Sequence, residues 1–201
     1  MSTVAESPFN GIDMKVLVII ASTRVNRIGG QVGEWIAKYT AEHTDFEVEV
    51  ADLAEIKLPL FDEPNHPRLQ QYEHEHTKAW SKTVGGADAF LVVTPEYNFT
   101  MPPSLSNAID YLYHEWAYKP VGYVGYGGSG GLRAIQTAQQ LFTNVSAVSV
   151  PSPNSVALNG VFRPTTETFE ATEQHELAAE RMLLELRKWA EALMSLHESH
   201  A

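Results

Sequence analysis

Three stretches of the 201-residue chain carry residue types that can do chemistry, and each lies where an apolar run gives way to helical spacing. The first is Ala21-Ser22-Thr23-Arg24-Val25-Asn26-Arg27-Ile28-Gly29-Gly30. Its hydroxyls, its loop N–H groups and the positive end of the following helix suit an anion such as phosphate. Arg24 and Arg27 add charge-assisted donors in an otherwise acidic chain. Read alone, the same residues make an ordinary polar strand-to-helix loop. The second stretch is Thr94-Pro95-Glu96-Tyr97-Asn98-Phe99-Thr100-Met101-Pro102-Pro103. Prolines stiffen it and leave its remaining N–H groups free to meet a planar ligand, while Tyr97 and Phe99 equally suit a core. The third is Gly127-Gly128-Ser129-Gly130-Gly131. It spells G-x-S-x-G between a strand and a helix, as a nucleophile elbow does. A serine hydrolase using Ser129 is therefore an alternative reading. It needs an acid and then a histidine downstream, and His175, His197 and His200 all lie on the final helix or at its end.

Other polar groups are weaker candidates. His74 and His76 stand two apart on an expected helix, so they face different ways and read as solvated rather than as metal ligands. Asp62, Glu63 and His66 could hold a cation, but a solvated proline-rich loop is the plainer reading. The chain has no cysteine, which excludes disulfides, thiolate nucleophiles and thiolate metal sites. The formal net charge of −11 argues against nucleic acid and anionic membranes as partners. With 44% hydrophobic and 19% charged residues, the composition is that of a globular domain. No apolar run approaches a membrane span. Residues 1–13 lack a basic start and an apolar core, so they read as a disordered leader rather than a secretory signal. Residues 14–201 read as one domain, and the protein as cytoplasmic.

The elements that must position these groups follow from periodicity. Lys15–Ile20 and Ala89–Val93 are continuous apolar runs, the mark of parallel strands buried on both faces. Phe46–Val50 alternates like an edge strand. Pro120–Tyr126 and Val145–Val150 supply a fourth and a fifth strand. A first helix buries Val32, Trp35, Ile36 and Tyr39; a second, Arg68–Val84, turns Leu69, Tyr72, Ala79 and Trp80 inward. Helical spacing continues over Ser104–Tyr118, over Leu132–Phe142 and over Glu170–His197. Asp52–Pro67 reads as loop, and residues 155–168 as a loop without assignment. Strands alternating with helices predict an α/β, flavodoxin-like, doubly wound sheet of five parallel strands in the order 2-1-3-4-5. Its ligand crevice lies at the switch point between the first and third strands, where the first two stretches emerge.

Pro95-Glu96-Tyr97-Asn98, followed by a proline and then Asn107-Ala108-Ile109-Asp110, resembles the NADPH-dependent FMN reductase family of flavodoxin-like proteins. The resemblance runs from Lys15 to about Val150 and reaches the first loop. There the family has Gly-Ser-x-Arg; Ser22 and Arg24 match, Ala21 replaces the glycine, and Arg27 stands where a serine is common. The resemblance implies that Ser22, Arg24, Arg27, Ile28 and Gly29 hold the FMN phosphate. It implies that Pro95, Glu96, Tyr97, Asn98 and Phe99 meet the polar edge of the isoalloxazine, with the backbone of Glu96, Tyr97 and Asn98 making the contacts. Gly127, Gly128 and Ser129 would let the backbone approach the ring. Phe99-Thr100 departs from the Gly or His often found there. The implied activity is transfer of a hydride from NADPH or NADH to FMN, then of electrons to a quinone, flavin, azo compound or metal oxyanion, with no acid–base residue and no metal. A flavin electron carrier that reacts slowly with nicotinamide is the related alternative. The family also implies a homodimer or tetramer. Tyr111, Tyr113, Trp116 and Tyr118 crowd the helix after the second stretch, either as a wide core contact or as the dimer interface.

Overall fold

Aliphatic and β-branched runs form the strands because helices cover them on both faces. The computed structural model describes residues 13–151, 155–161 and 169–199. In it β1 (Met14–Ile20), β2 (Phe46–Asp52), β3 (Ala89–Pro95) and β4 (Pro120–Gly127) are parallel and lie in the order β2-β1-β3-β4. Every residue of β3 and β4 is buried, whereas β2 exposes Glu47 and Val50 at the edge. The expected fifth strand, 145–150, is reduced to two residues, and a sixth strand follows it. β5 (Val148–Ser149) pairs with Pro120 and Val121, and β6 (Val156–Asn159) pairs further along β4, with Val124 to Gly127. Pro151 and Pro153 fall between them and cannot donate to a ladder. β6 thus occupies part of the stretch that had no assignment; residues 162–168 of it lie outside the described residues, as do residues 1–12 of the expected leader.

Helices α1 (Gly29–His43) and α6 (Glu173–Glu198) pack on one face of the sheet. On the other face lie α3 (Glu75–Gly85), α4 (Pro103–Asp110) and α5 (Leu132–Asn144). A short α2 (Leu53–Ile56) follows β2, capped by the Asp52 carboxylate on the Ala54 N–H, where a plain loop was expected. The expected helix over 68–84 is shorter. A 3-10 turn, Pro67–Leu69, ends at Gln70 with φ of +50°, and α3 starts only at Glu75. Its buried stripe is Thr77, Trp80 and Val84, while Leu69 and Ala79 face solvent. Since His74 precedes the helix in an extended conformation, its ring folds back and stacks on His76 at 5.1 Å, contrary to the expectation that the two diverge. Among the described residues, no group of three His, Cys, Asp or Glu is placed to hold a metal.

Of the aromatic cluster after α4, Tyr111 and Trp116 belong to the core, while Tyr113 and Tyr118 are half-exposed. α4 stops at Asp110, and a 3-10 turn, His114–Trp116, carries Trp116 under the sheet. Its ring lies 4.9 Å from Phe90, 5.4 Å from Phe142 and 6.0 Å from Trp80, and its Nε1 donates to the Ile109 carbonyl. Tyr111 is likewise fully buried. Neither residue is available to a second subunit, so for these two the core contact holds rather than the interface. Among the described residues no helix is long and apolar enough to cross a membrane.

Candidate functional site

The carboxyl ends of β1, β3 and β4 open onto one cavity of about 230 Å³. The first loop lines it with Ser22, Arg24, Asn26, Arg27 and Ile28, the second with Pro95, Glu96 and Tyr97, and the end of β4 with Tyr126 and Gly127. The fold therefore brings the first two stretches together at the switch point, with the first residue of the third.

The first loop turns at Asn26, which has φ of +58°. Ser22 is buried, and its hydroxyl shares a 2.7 Å hydrogen bond with the Tyr97 hydroxyl, joining the two loops. Arg24 is exposed, has no carboxylate partner among the described residues, and sits 5.9 Å from the centre of the Tyr97 ring. Arg27, in contrast, pairs with Asp52 at the end of β2, so its charge is already compensated. The register explains this pair: β1 and β2 align Ile20 with Asp52, just before the loop begins. Two donors in this wall are shut from solvent, Arg27 Nε and the Tyr126 hydroxyl, and neither makes a well-formed hydrogen bond among the described residues, although the Tyr126 hydroxyl lies close to that of Ser22. Burial pushes the Tyr126 phenol above its ordinary pKa, partly offset by Ser22 and the two arginines, so it stays a neutral donor. Each such orphan costs about 1–3 kcal/mol unless something accepts from it. Gly29 lets α1 approach that hydroxyl, because a Cβ there would stand 2.4 Å from it. Ile28, the residue before α1, makes no side-chain cap, which leaves the first-turn N–H groups of a 15-residue helix open. Hydroxyls, a guanidinium, free N–H groups and a helix N-terminus together fit a phosphate ester.

The second loop closes on itself. Tyr97 and Thr100 exchange backbone hydrogen bonds of 2.9 and 3.0 Å, with Asn98 at φ +50° and Phe99 at φ +66° between them. This is the geometry of a type I′ turn. Asn tolerates the left-handed region, but for a bulky residue such as Phe99 it costs about 1–2 kcal/mol. The Glu96 N–H is committed to the Tyr126 carbonyl and the Tyr97 N–H to Thr100. The N–H groups of this loop without a partner among the described residues are those of Asn98 and Phe99. The Glu96 carboxylate binds Arg133 twice, accepting from the guanidinium at 2.8 Å and from the backbone N–H at 3.0 Å.

Gly127–Gly131 folds back on its own strand. Gly131, at φ +72°, allows an approach in which a Cβ would lie 2.7 Å from Gly125 Cα. Gly128 and Ser129 are exposed at the tip and do not line the cavity. Nor, among the described residues, does Ser129 have the partners of a nucleophile. His175 accepts from the Thr172 N–H and stacks on Phe169. His197 lines a small cavity with Met14 and Asp88, at the amino end of β1 and so at the opposite end of the sheet. His200 lies outside the described residues. Tyr126, Asn26 and Arg133 are the residues of this region that sequence reasoning missed; for Tyr126 the available signal was its place next to the glycine that ends β4.

A family model described as NADPH-dependent FMN reductase matches residues 14–161. An NAD(P)H-dependent FMN reductase of Schizosaccharomyces pombe is 43% identical over 122 residues, 60% of this chain and 61% of that protein. The match thus spans less than two thirds of that relative. An NAD(P)H-dependent FMN reductase from a Nectria species is 33% identical over 184 residues, covering 89% of this chain and 88% of the relative. Among solved structures, the flavoenzyme NAD(P)H:(acceptor) oxidoreductase FerB of Paracoccus denitrificans superposes with a TM-score of 0.59. That superposition covers 93% of this chain and 98% of the other at 21% identity, a likeness of fold.

Proposed function

The chain belongs to the NADPH-dependent FMN reductase family, and on that premise we propose that it is an FMN-dependent oxidoreductase. It takes a hydride from NADPH or NADH and passes the two electrons to a small acceptor such as a quinone, a free flavin, an azo compound or a metal oxyanion. The observation that carries this reading is the cavity at the ends of β1, β3 and β4, whose wall holds two buried donors that make no well-formed hydrogen bond among the described residues.

In this reading Arg24 supplies the uncompensated positive charge for the FMN phosphate. Ser22, the first N–H groups of α1, the Tyr126 hydroxyl and Arg27 Nε complete the donor set. Arg27 also holds the loop against β2 through Asp52. The backbone of Pro95–Asn98 and Gly127 flanks the ring, and the N–H of Asn98, without a partner among the described residues, is a donor for its polar edge, where charge gathers on reduction. Arg133 neutralises the Glu96 carboxylate, so no bare negative charge opposes an electron-rich ring. FMN, when bound, supplies the hydride-accepting centre. Hydride transfer needs no proton relay, and no side chain is assigned as an acid or base. The reading extends to a cytoplasmic single domain that assembles as a homodimer or tetramer. Exposed Leu60 and Leu69 and the Arg68–Tyr113 stack are the surface features that support assembly, in place of Tyr111 and Trp116.

The test is a comparison of FMN with riboflavin, which lacks the phosphate. FMN should bind far more tightly, and Arg24→Ala should weaken FMN alone by about ten- to hundredfold, the loss of one charge-assisted contact of about 1.5–3 kcal/mol. Equal affinity for the two flavins would overturn the assignment.

A further inference from the structure

Phe99 is a large apolar side chain in a place that folding does not explain. It occupies the second central position of a type I′ turn, with φ of +66°, where glycine is the ordinary residue. Burial does not compensate for that conformation, because Phe99 is 70% exposed. Yet the turn is held firmly. Tyr97 and Thr100 close it, and the Thr137 hydroxyl of α5 accepts from the Met101 N–H at 3.2 Å and meets the Thr100 hydroxyl at 3.3 Å. The Arg133 guanidinium lies 4.4 Å from the centre of the Phe99 ring and is itself clamped by Glu96. An aromatic ring is thus held in water on the loop that lines the cavity, two residues from Tyr97 in its wall and over the Arg133 that Glu96 of the same wall clamps.

We infer that Phe99 is a stacking platform for the second substrate, the electron acceptor, and that it selects flat, uncharged aromatic acceptors. The inference rests on the oxidoreductase reading above and names the substrate class of that site. Charge decides between the two substrates. Arg133 is neutralised by Glu96, so the cluster offers no net positive charge to the phosphates of a nicotinamide dinucleotide. What it offers is an aromatic face, with half-exposed Leu132 beside Arg133 in the sequence. A quinone or another neutral planar ring gains from both by offset stacking and apolar contact. A compact inorganic acceptor such as ferricyanide gains from neither.

The experiment uses the FMN-loaded protein and three variants. Phe99→Gly and Phe99→Asn remove the ring and suit the left-handed backbone; Phe99→Trp keeps an aromatic face. Steady-state rates with naphthoquinone and with ferricyanide give a ratio of kcat/KM values. Binding of anthraquinone to the oxidised protein, followed by difference absorbance without any nicotinamide, gives a readout independent of turnover. For Phe99→Gly and Phe99→Asn the ratio should fall by about fivefold and anthraquinone binding should weaken equally, as expected for one lost aromatic stack. The melting temperature should hold or rise, and Phe99→Trp should keep the parent ratio. An unchanged ratio with unchanged anthraquinone binding would overturn the inference. So would an equal fall with both acceptors, which would place Phe99 in the flavin or nicotinamide step. If the parent protein failed to oxidise NADPH with ferricyanide, the oxidoreductase reading would fail instead, and the anthraquinone titration would still decide whether the platform exists.

Discussion

Replacing Tyr126 with phenylalanine should act in opposite directions on the flavin-free and the flavin-loaded protein. The hydroxyl is buried at the cavity wall and, among the described residues, makes no well-formed hydrogen bond. Removing it leaves the ring in place and deletes an unsatisfied polar group that costs about 1–3 kcal/mol. For a domain of this size about 1 kcal/mol corresponds to about 2–4 °C, so the flavin-free variant should melt at least about 2 °C higher. In the proposed function the same hydroxyl, kept neutral because burial raises its pKa, donates to the FMN phosphate. Its loss should remove about 1.5–3 kcal/mol of binding, or about ten- to hundredfold in affinity. Thermal melts of stripped protein and titrations of flavin fluorescence read the two effects separately. Riboflavin should bind parent and variant alike, because the contact is to the phosphate. A lower melting point in the stripped variant, or an unchanged FMN affinity, would refute the reasoning.

Trp116→Ala should destabilise the single chain by about 3–5 kcal/mol, the range for a large aromatic truncated in a packed core. Urea unfolding checks this, and the loss should not depend on protein concentration, as it would if Trp116 were a subunit contact. Lys119 should make stability rise with pH. It is buried, donating to the Val84 and Gly85 carbonyls at the end of α3, and burial lowers its pKa from 10.5 to about 8. Between those values the unfolded chain keeps the proton that the native one has lost, so unfolding binds a proton and stability increases with pH. That shift amounts to about 3 kcal/mol across the window. Buried Tyr72, Tyr123 and Tyr126, whose pKa values burial raises, oppose it above about pH 10. Urea melts from pH 8 to 10 should therefore show a rise that Lys119→Met abolishes.

The parts of the fold that were legible are those with a single physical solution. β1 and β3 are uninterrupted apolar runs, and a run of that kind in a soluble chain has to be covered on both faces. The loops that leave their carboxyl ends then meet at the switch point whatever the details, which is why Ser22, Arg24 and Pro95–Tyr97 line one cavity. What stayed hidden depends on register and on where helices stop. Nothing in the order of residues says that Asp52 will neutralise Arg27; the pairing of β1 with β2 does. Similarly, β3–β4 pairing sets Tyr126 opposite Pro95 and turns its hydroxyl into the cavity wall. Helical spacing ran on past Asp110, so Trp116 looked like a surface anchor, when the break in the helix carries it into the core. The G-x-S-x-G match was a coincidence of glycines needed for turns at Gly127, Gly130 and Gly131, with Ser129 at an exposed tip.

The central claim is tested most directly by mixing the FMN-loaded protein with NADPH without oxygen and following the visible flavin band. The account predicts that NADPH alone bleaches the band completely, and that a quinone added after removal of the nicotinamide restores it. A band that persists in excess NADPH and in excess NADH would contradict the account.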